Sequence, residues 1–352
     1  MKKLIIILSA AVIILITIVI VFPLFLPKRQ SIKTTELKPL RTFGGLDVSE
    51  EAILSSPSDM VINPDGNIIV SDSRENKIIV FDRDGRVINQ FGRQGKGPGE
   101  LHGVRYIGVK EDALKVYEAN NNRIQYFSFD GQYLNMIPLR FNIGMGGFVF
   151  GDNDDVFIAT NGFRTSELIR HYRISGEKLD SIGKIEGEPF KGYYMFKIQE
   201  DLIKKKVPDE FRNNIILFQS QERNLYAFYQ SLPLVKIYSE KGELKEVVSL
   251  DIPEYEEIVD SCSKLNLEIK KEGEPAFSPL RIWRDGFVSD KGDLILLLWN
   301  SEKMILYKFD KEARLVHCYK GVDDNISLIA AHGPDLWAYG QDTQIFYQFQ
   351  LE

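Results

Sequence analysis

Residues 57–91 alternate short apolar runs with polar, turn-forming runs, and the pattern predicts four strands. Val61-Ile62 is a short apolar strand, and Asn63-Pro64-Asp65-Gly66 is a turn in which Pro presets φ and Gly accepts a positive φ. Ile68-Ile69-Val70 is continuously apolar, as suits a strand buried on both faces. Asp72–Asn76 is polar, and Lys77-Ile78-Ile79-Val80-Phe81 is a third strand. Asp82-Arg83-Asp84-Gly85 forms a second hairpin, and Arg86–Phe91 mixes polar residues into an outer, half-exposed strand.

The unit returns with a period of about 40 residues, the spacing of propeller blades. Later units fall at 104–138, 146–183, 214–250, 283–320 and 326–352. In the third, Asp152-Asn153-Asp154-Asp155 reads as the first turn; it lacks the Gly and distal Glu of a calcium loop. The sixth unit has three strands before the chain stops. Its missing outer strand is expected from residues 36–44, whose pattern copies Val87–Gly92, and whose pairing with 344–350 would close the ring. The expected fold is all-β: a six-bladed propeller over residues 30–352, closed by an N-terminal strand.

The first cassette resembles an NHL-type six-bladed propeller repeat. The matching residues are Pro64-Asp65-Gly66-Asn67-Ile68, Asp72 with Asn76, Val80-Phe81-Asp82, Asp84-Gly85 and the closing Gly95-Lys96-Gly97-Pro98-Gly99-Glu100-Leu101. The resemblance implies recognition of a protein, peptide or glycan more often than catalysis. Other six-bladed relatives are lactonases with a central calcium, or a zinc-dependent amidating lyase, so a metal-dependent enzyme at the channel mouth is the alternative expectation.

The N-terminus changes the picture. Met1-Lys2-Lys3 precedes Leu4–Leu26, an uncharged run of 23 residues. As a helix it would span about 34 Å, enough to cross a hydrocarbon core of about 30 Å. A signal peptide has a shorter core ending at a small-residue cleavage site. Here the small cluster Ser9-Ala10-Ala11 lies inside the run, so residues 1–29 are expected to remain as a single-pass membrane anchor. Lys2 and Lys3 nearly balance Lys28, Arg29 and Lys33, and the propeller is expected outside the cytoplasm. The net charge of −6 argues against nucleic-acid binding. Two cysteines, Cys262 and Cys318, make no disulfide framework.

The repeat breaks at 184–213 and 251–282. In a propeller both insertions emerge on the face where the inner strands begin. Residues 196–206 and 255–267 carry apolar positions at helical spacing. They are expected to cover that face as a partner-binding lid, with Tyr193, Tyr194, Phe196, Phe211 and Tyr255 as its contact surface or its own core.

Candidate chemistry is sparse. The four histidines fall on different strands and turns: His102 on the inner edge of blade two, His171, His317 and His332 elsewhere. They do not converge as a zinc site requires. Oxygen ligands for a possible calcium would come from Asp72, Glu118, Asn120, Asn161, Asn300 and Asp342, residues that also serve simple turns. Arg74, Arg105, Arg123 and Arg164, with Lys96, are candidates for a positive rim that holds an anion. No cofactor motif is present, and the residues point to binding rather than catalysis.

Overall fold

The computed structural model describes residues 32–45, 54–110, 112–139, 147–151, 155–273, 275–299 and 302–351. Thr34–Glu352 make one compact unit; of the other, Met1–Lys33, only residues 32 and 33 are described. The expected anchor, the turn at 152–154 and Asn300 lie outside the described residues. No helix among the described residues is long and apolar enough to cross a membrane.

Two N-terminal strands come first, β1 (Lys33–Glu36) and β2 (Arg41–Gly44). Blade one is β3 (Pro57–Ile62), β4 (Ile68–Asp72), β5 (Lys77–Phe81) and β6 (Val87–Phe91). Blade two is β7 (Val104–Lys110), β8 (Ala113–Glu118), β9 (Arg123–Ser128) and β10 (Tyr133–Pro138). Blade three is β11 (Phe148–Phe150), β12 (Asp155–Ala159), β13 (Glu167–Arg173) and β14 (Lys178–Lys184). Blade four is β15 (Ile215–Gln219), β16 (Leu225–Tyr229), β17 (Leu234–Tyr238) and β18 (Leu244–Ser249). Blade five is β19 (Trp283–Val288), β20 (Leu294–Leu298), β21 (Ile305–Phe309) and β22 (Leu315–Lys320). Blade six is β23 (Ile326–His332), β24 (Asp335–Gly340) and β25 (Ile345–Gln350). Each blade is a meander, and six such sheets form the ring.

The second strand of a blade has no solvent face. β4, β12, β16 and β20 are buried at every residue, which their apolar composition permits. Core clusters therefore form between blades. Ile69, Val80 and Leu114 join blades one and two, Tyr117, Phe148 and Val156 join two and three, and Ile169, Leu217 and Tyr229 join three and four. Phe228 and Phe309 meet at 5.6 Å between four and five, and Leu297, Leu306 and Ile329 join five and six.

The ring closes through β2. Arg41 pairs with Gln348 and Gly44 with Ile345, so the chain's start supplies the outer strand of blade six. Phe43 stacks on Phe346 at 4.6 Å and touches Phe81 and Trp337, each at 5.5 Å. It lies over the blade-one hairpin at Gly85, where a Cβ would sit 2.1 Å from the Phe43 ring. Residues 36–44 do not run as one strand. Pro39 has no N–H to donate, and the chain divides around it. Leu37 N–H donates to the Lys320 carbonyl of blade five at 2.7 Å, and Leu40 N–H to the Gln348 carbonyl of blade six at 2.7 Å. β1 thus becomes a fifth strand outside blade five, and Thr35 Oγ1 meets His317 Nε2 at 2.9 Å.

The insertions hold three helices, α1 (Met195–Ile203), α2 (Asp209–Arg212) and α3 (Tyr255–Glu272). α3 runs past the expected 255–267 and ends at Gly273, whose φ of 77° suits a left-handed cap. Ile198, Leu202, Phe211, Val259 and Leu280 form their own core.

Phe43 is the main apolar anchor of the closing strand. Phe43→Ala should lower stability by about 3 kcal/mol, whereas Leu40→Ala, at a side chain 63% exposed, should change little. Equal denaturation midpoints for the two variants would show that β2 does not hold the ring.

Candidate functional site

In four blades the inner strand carries a bulge near its start. β3 pairs Pro57 with Asp72 and Asp59 with Ser71, skipping Ser58. β7 skips Arg105, β19 skips Arg284 and β23 skips Ser327 in the same way. A bulge leaves one residue out of the ladder and re-aims its side chain. All four skipped residues line a central cavity of about 790 Å³. β11 and β15 pair without a shift and contribute Phe148, Ile216 and Phe218 to the same wall. Gly286 leaves room opposite: a Cβ there would sit 2.8 Å from the Phe218 ring. The inner strands thus turn Ser or Arg side chains into the cavity on blades five, six, one and two, and β11 and β15 turn mainly apolar ones into it on three and four.

The second insertion supplies a further wall. Residues 276–282 run from the helices back to the ring. Gln199 Nε2 donates to the Ala276 carbonyl at 2.8 Å, and Asn266 exchanges bonds with Ser278 at 2.9 and 3.0 Å. On the ring side, Ser231 Oγ donates to the Leu280 carbonyl at 2.7 Å and Ile282 N–H to the Gln230 carbonyl at 2.6 Å. Trp299 N–H donates in turn to the Ile282 carbonyl at 2.7 Å. Arg281 is held between these fastenings and lines the cavity. Its guanidinium lies 4.8 Å from the Trp299 ring, and that of Arg284 lies 4.9 Å from the same ring. Arg284 also donates to Asn325 Oδ1 at 3.1 Å and to Gln341. Arg281 Nε is buried with no hydrogen-bond partner. Burial pulls both arginines below their ordinary range; at Arg284 the charge of Arg281 adds to the fall, and Asp285 and Asp342 oppose it.

Two carboxylates stand beside the bulges. Asp59 Oδ2 accepts from Ile107 N–H at 2.8 Å and Asp285 Oδ2 from Ile329 N–H at 2.8 Å, so each tethers its blade to the next. Burial pushes Asp59 up to about 8 against two backbone donors, with the negative charge of Asp285 adding to the rise. Burial likewise raises Asp285 to about 6.

Of the ten candidate ligand residues, Arg105 reaches the cavity wall, over the Tyr106 ring at 5.5 Å. Glu118 and Arg123 form a buried ion pair at 2.6 Å. Glu118 also accepts from His102 N–H at 2.9 Å, and Arg123 donates to the Lys96 and Glu100 carbonyls at 2.6 and 2.7 Å. This pair fastens the Gly-rich 95–101 loop and is not a rim. Asp72 is occupied by the N–H groups of Ser55, Ser56, Arg74 and Glu75 at 2.6–3.2 Å. Arg74, Asn120, Arg164 and Asp342 are exposed outside the cavity, and Asn161 is buried in a bridge to Asn213. These oxygens do not converge, and among the described residues no cluster of three or more His, Cys, Asp or Glu could hold a metal ion. His171 bonds Asp155 at 2.6 Å.

The lid residues divide. Phe211 and Tyr255 pack within the helical core, while Tyr193, Tyr194 and Phe196 are exposed to solvent, and none lines the cavity. Arg281, Arg284, Trp299, Asp59 and Asp285 escaped the sequence reading. Their signal was present: aligning Pro57-Ser58-Asp59, Val104-Arg105-Tyr106, Trp283-Arg284-Asp285 and Ile326-Ser327-Leu328 places the bulged residues in one column.

Residues 41–258, more than half of the chain, match the DUF5128 family, described as a 6-bladed beta-propeller. The chain belongs to the DUF5128 family. A curated relative, "Protein brain tumor" of Drosophila melanogaster, is 28% identical over 111 residues, 31% of this chain. This DUF5128 chain spans only 11% of that relative's length. Solved structures share the fold. A Bacteroides fragilis protein described as exported aligns at TM-score 0.54 and 11% identity, covering 91% of this chain and 100% of its own. Catalytically inactive virginiamycin B lyase from Staphylococcus aureus, solved with quinupristin, aligns at TM-score 0.50 and 11% identity over 89% of each chain.

Two outcomes test these assignments. Glu118→Ala should destabilise this DUF5128 protein by about 3–5 kcal/mol, because Arg123 is left buried without its counter-charge; a denaturation midpoint equal to wild type would contradict the structural role. The second concerns pH. Asp59 has its folded value near 8 against an ordinary 3.8, so folding takes up a proton between those values. Its contribution is full at low pH, declines as pH rises through that window and levels off above it. Asp59→Asn removes the titration, so its midpoint should fall less than wild type's between pH 5 and 8, whatever its absolute stability. Parallel profiles would refute the assignment.

Proposed function

We propose that this protein is a membrane-anchored, extracytoplasmic propeller that acts as a binding module, taking its ligand or partner at the channel mouth on the insertion-bearing face. The observation that carries the reading is the central cavity of about 790 Å³ with Arg281 in its wall. Its size is that of a small-molecule or chain-end site. The second insertion, a departure from the blade repeat, carries that residue on a segment fastened at both ends. The NHL-type pattern of residues 64–101 supports recognition of a protein, peptide or glycan. The long apolar run Leu4–Leu26 supports the anchor, and the fold shared with a protein described as exported is consistent with an extracytoplasmic propeller.

Binding is favoured over catalysis by how the reactive side chains are used. Glu118 is engaged by Arg123, His171 by Asp155 and His317 by Thr35. Asp59 and Asp285 accept backbone N–H groups that hold adjacent blades.

The test uses the full chain with a photo-crosslinking residue at Gln341, in the cavity wall, or at Lys291, in the β19–β20 hairpin of blade five outside that wall. Adducts with a co-purifying ligand or partner are expected from position 341 and not from 291. Stoichiometric, tightly held calcium or zinc together with lactone-opening or lyase turnover would replace the binding reading with the enzymatic one.

A further inference from the structure

We infer that the channel mouth binds a small organic anion, its carboxylate or phosphate oxygens held by Arg281, Arg284 and Arg105 and its apolar body lying against Phe148, Ile216 and Phe218. The inference rests on the binding-module reading and names the chemistry of its ligand.

The fold does not require these arginines. Bulge geometry places Ser58, Arg105, Arg284 and Ser327 at equivalent points of four inner strands. Serine satisfies the geometry in two of the four. A guanidinium at the other two is therefore a choice of chemistry, made at the costlier side chain to desolvate. Arg281 comes from outside the repeat altogether and converges on the same Trp299 ring as Arg284.

Two half-buried cations on one ring repel each other. Arg284 donates to the neutral amides of Asn325 and Gln341, which do not offset its charge. Arg281 Nε has no acceptor at all. Asp285 and Asp342 offset part of the Arg284 charge, but Asp285 is turned to Gly286 and Ile329 N–H groups, and Asp59 to those of Met60 and Ile107. Near neutral pH Asp59 holds its proton, and the two carboxylates of Asp285 and Asp342 stand against the three guanidinium groups of Arg105, Arg281 and Arg284, so the cavity keeps an excess of positive charge. A concave wall with such an excess concentrates anions, and a guanidinium fork suits the paired oxygens of a carboxylate or phosphate. The uncharged wall on blades three and four then selects an anion with an apolar part over a bare inorganic ion.

Calorimetric titration of the full chain with hexanoate, hexyl phosphate, inorganic phosphate and neutral hexanol tests the inference. At least one hexyl anion should bind at least tenfold more tightly than both hexanol and inorganic phosphate, and the stronger of the two identifies the headgroup. Arg281→Gln with Arg284→Gln should lose at least tenfold in that affinity, while Arg74→Gln, outside the cavity, should keep it. Matched thermal midpoints for the variants exclude a folding defect, and the single Arg281→Gln variant serves if the double variant unfolds. Hexanol binding as tightly as the anions, or anion affinity unchanged by both substitutions, overturns the anionic class. In that case crosslinking from position 341 still reports whether a neutral ligand occupies the mouth. The failures of the two readings are therefore separable.

Discussion

The structure depends on the second strand of each blade having nowhere to face water. A sheet of this kind must be covered on both sides, and the only cover available is the neighbouring blade. Five sheets in an open arc would leave two such faces bare. Closure is thus a requirement of burial, and it explains why an N-terminal strand travels to complete the last sheet. Phe43 meets blades six and one together, with Phe346 and Trp337 on one side and Phe81 and Gly85 on the other. The long sequence separation of that contact has an entropic cost, but one that grows only slowly with loop length. The strand can therefore be supplied from the far terminus.

Once burial fixes the ring, polar groups near its axis have few places to go. Asp59 and Asp285 resolve this by bonding the next blade's inner strand. Glu118 resolves it by gathering Arg123, Gln125, Asn121 and the His102 N–H into one buried network. These groups have the residue types of an active site and the wiring of a scaffold. Identity alone cannot separate the two uses; the direction of the hydrogen bonds does.

Much of the ring was legible in the sequence because its signals are local. Gly-containing hairpins (Asp-Gly in the first two units), apolar second strands and polar outer strands such as Val87–Phe91 recur along the chain. The division of 33–44 into two strands was not legible, because it depends on Lys320 and Gln348, far away in the chain. The site was less legible still. Arg105 was found because it stands near a loop of the insertion-bearing face. Arg284 stands at the same register in blade five, yet a one-residue bulge erases the alternation by which inward residues are counted. Arg123 and Glu118 were misplaced for the converse reason: a turn beside the mouth resembles a rim until its side chains are seen to bond the backbone beneath it.

The helical insertions then take a different meaning from that of a lid. Their aromatic residues either pack internally, as Phe211 and Tyr255 do, or stand exposed away from the cavity, as Tyr194 and Phe196 do. What the helices hold is the returning segment 276–282. Gln199 and Asn266 clamp its start through backbone bonds, and Gln230, Ser231 and Trp299 clamp its end. A free segment of that length would let Arg281 withdraw from its cationic neighbour into solvent, which is where electrostatics alone would send it. Fixing the backbone at both ends removes that escape. The repulsion between Arg281 and Arg284 is retained in the folded protein, and an anion arriving between them relieves it.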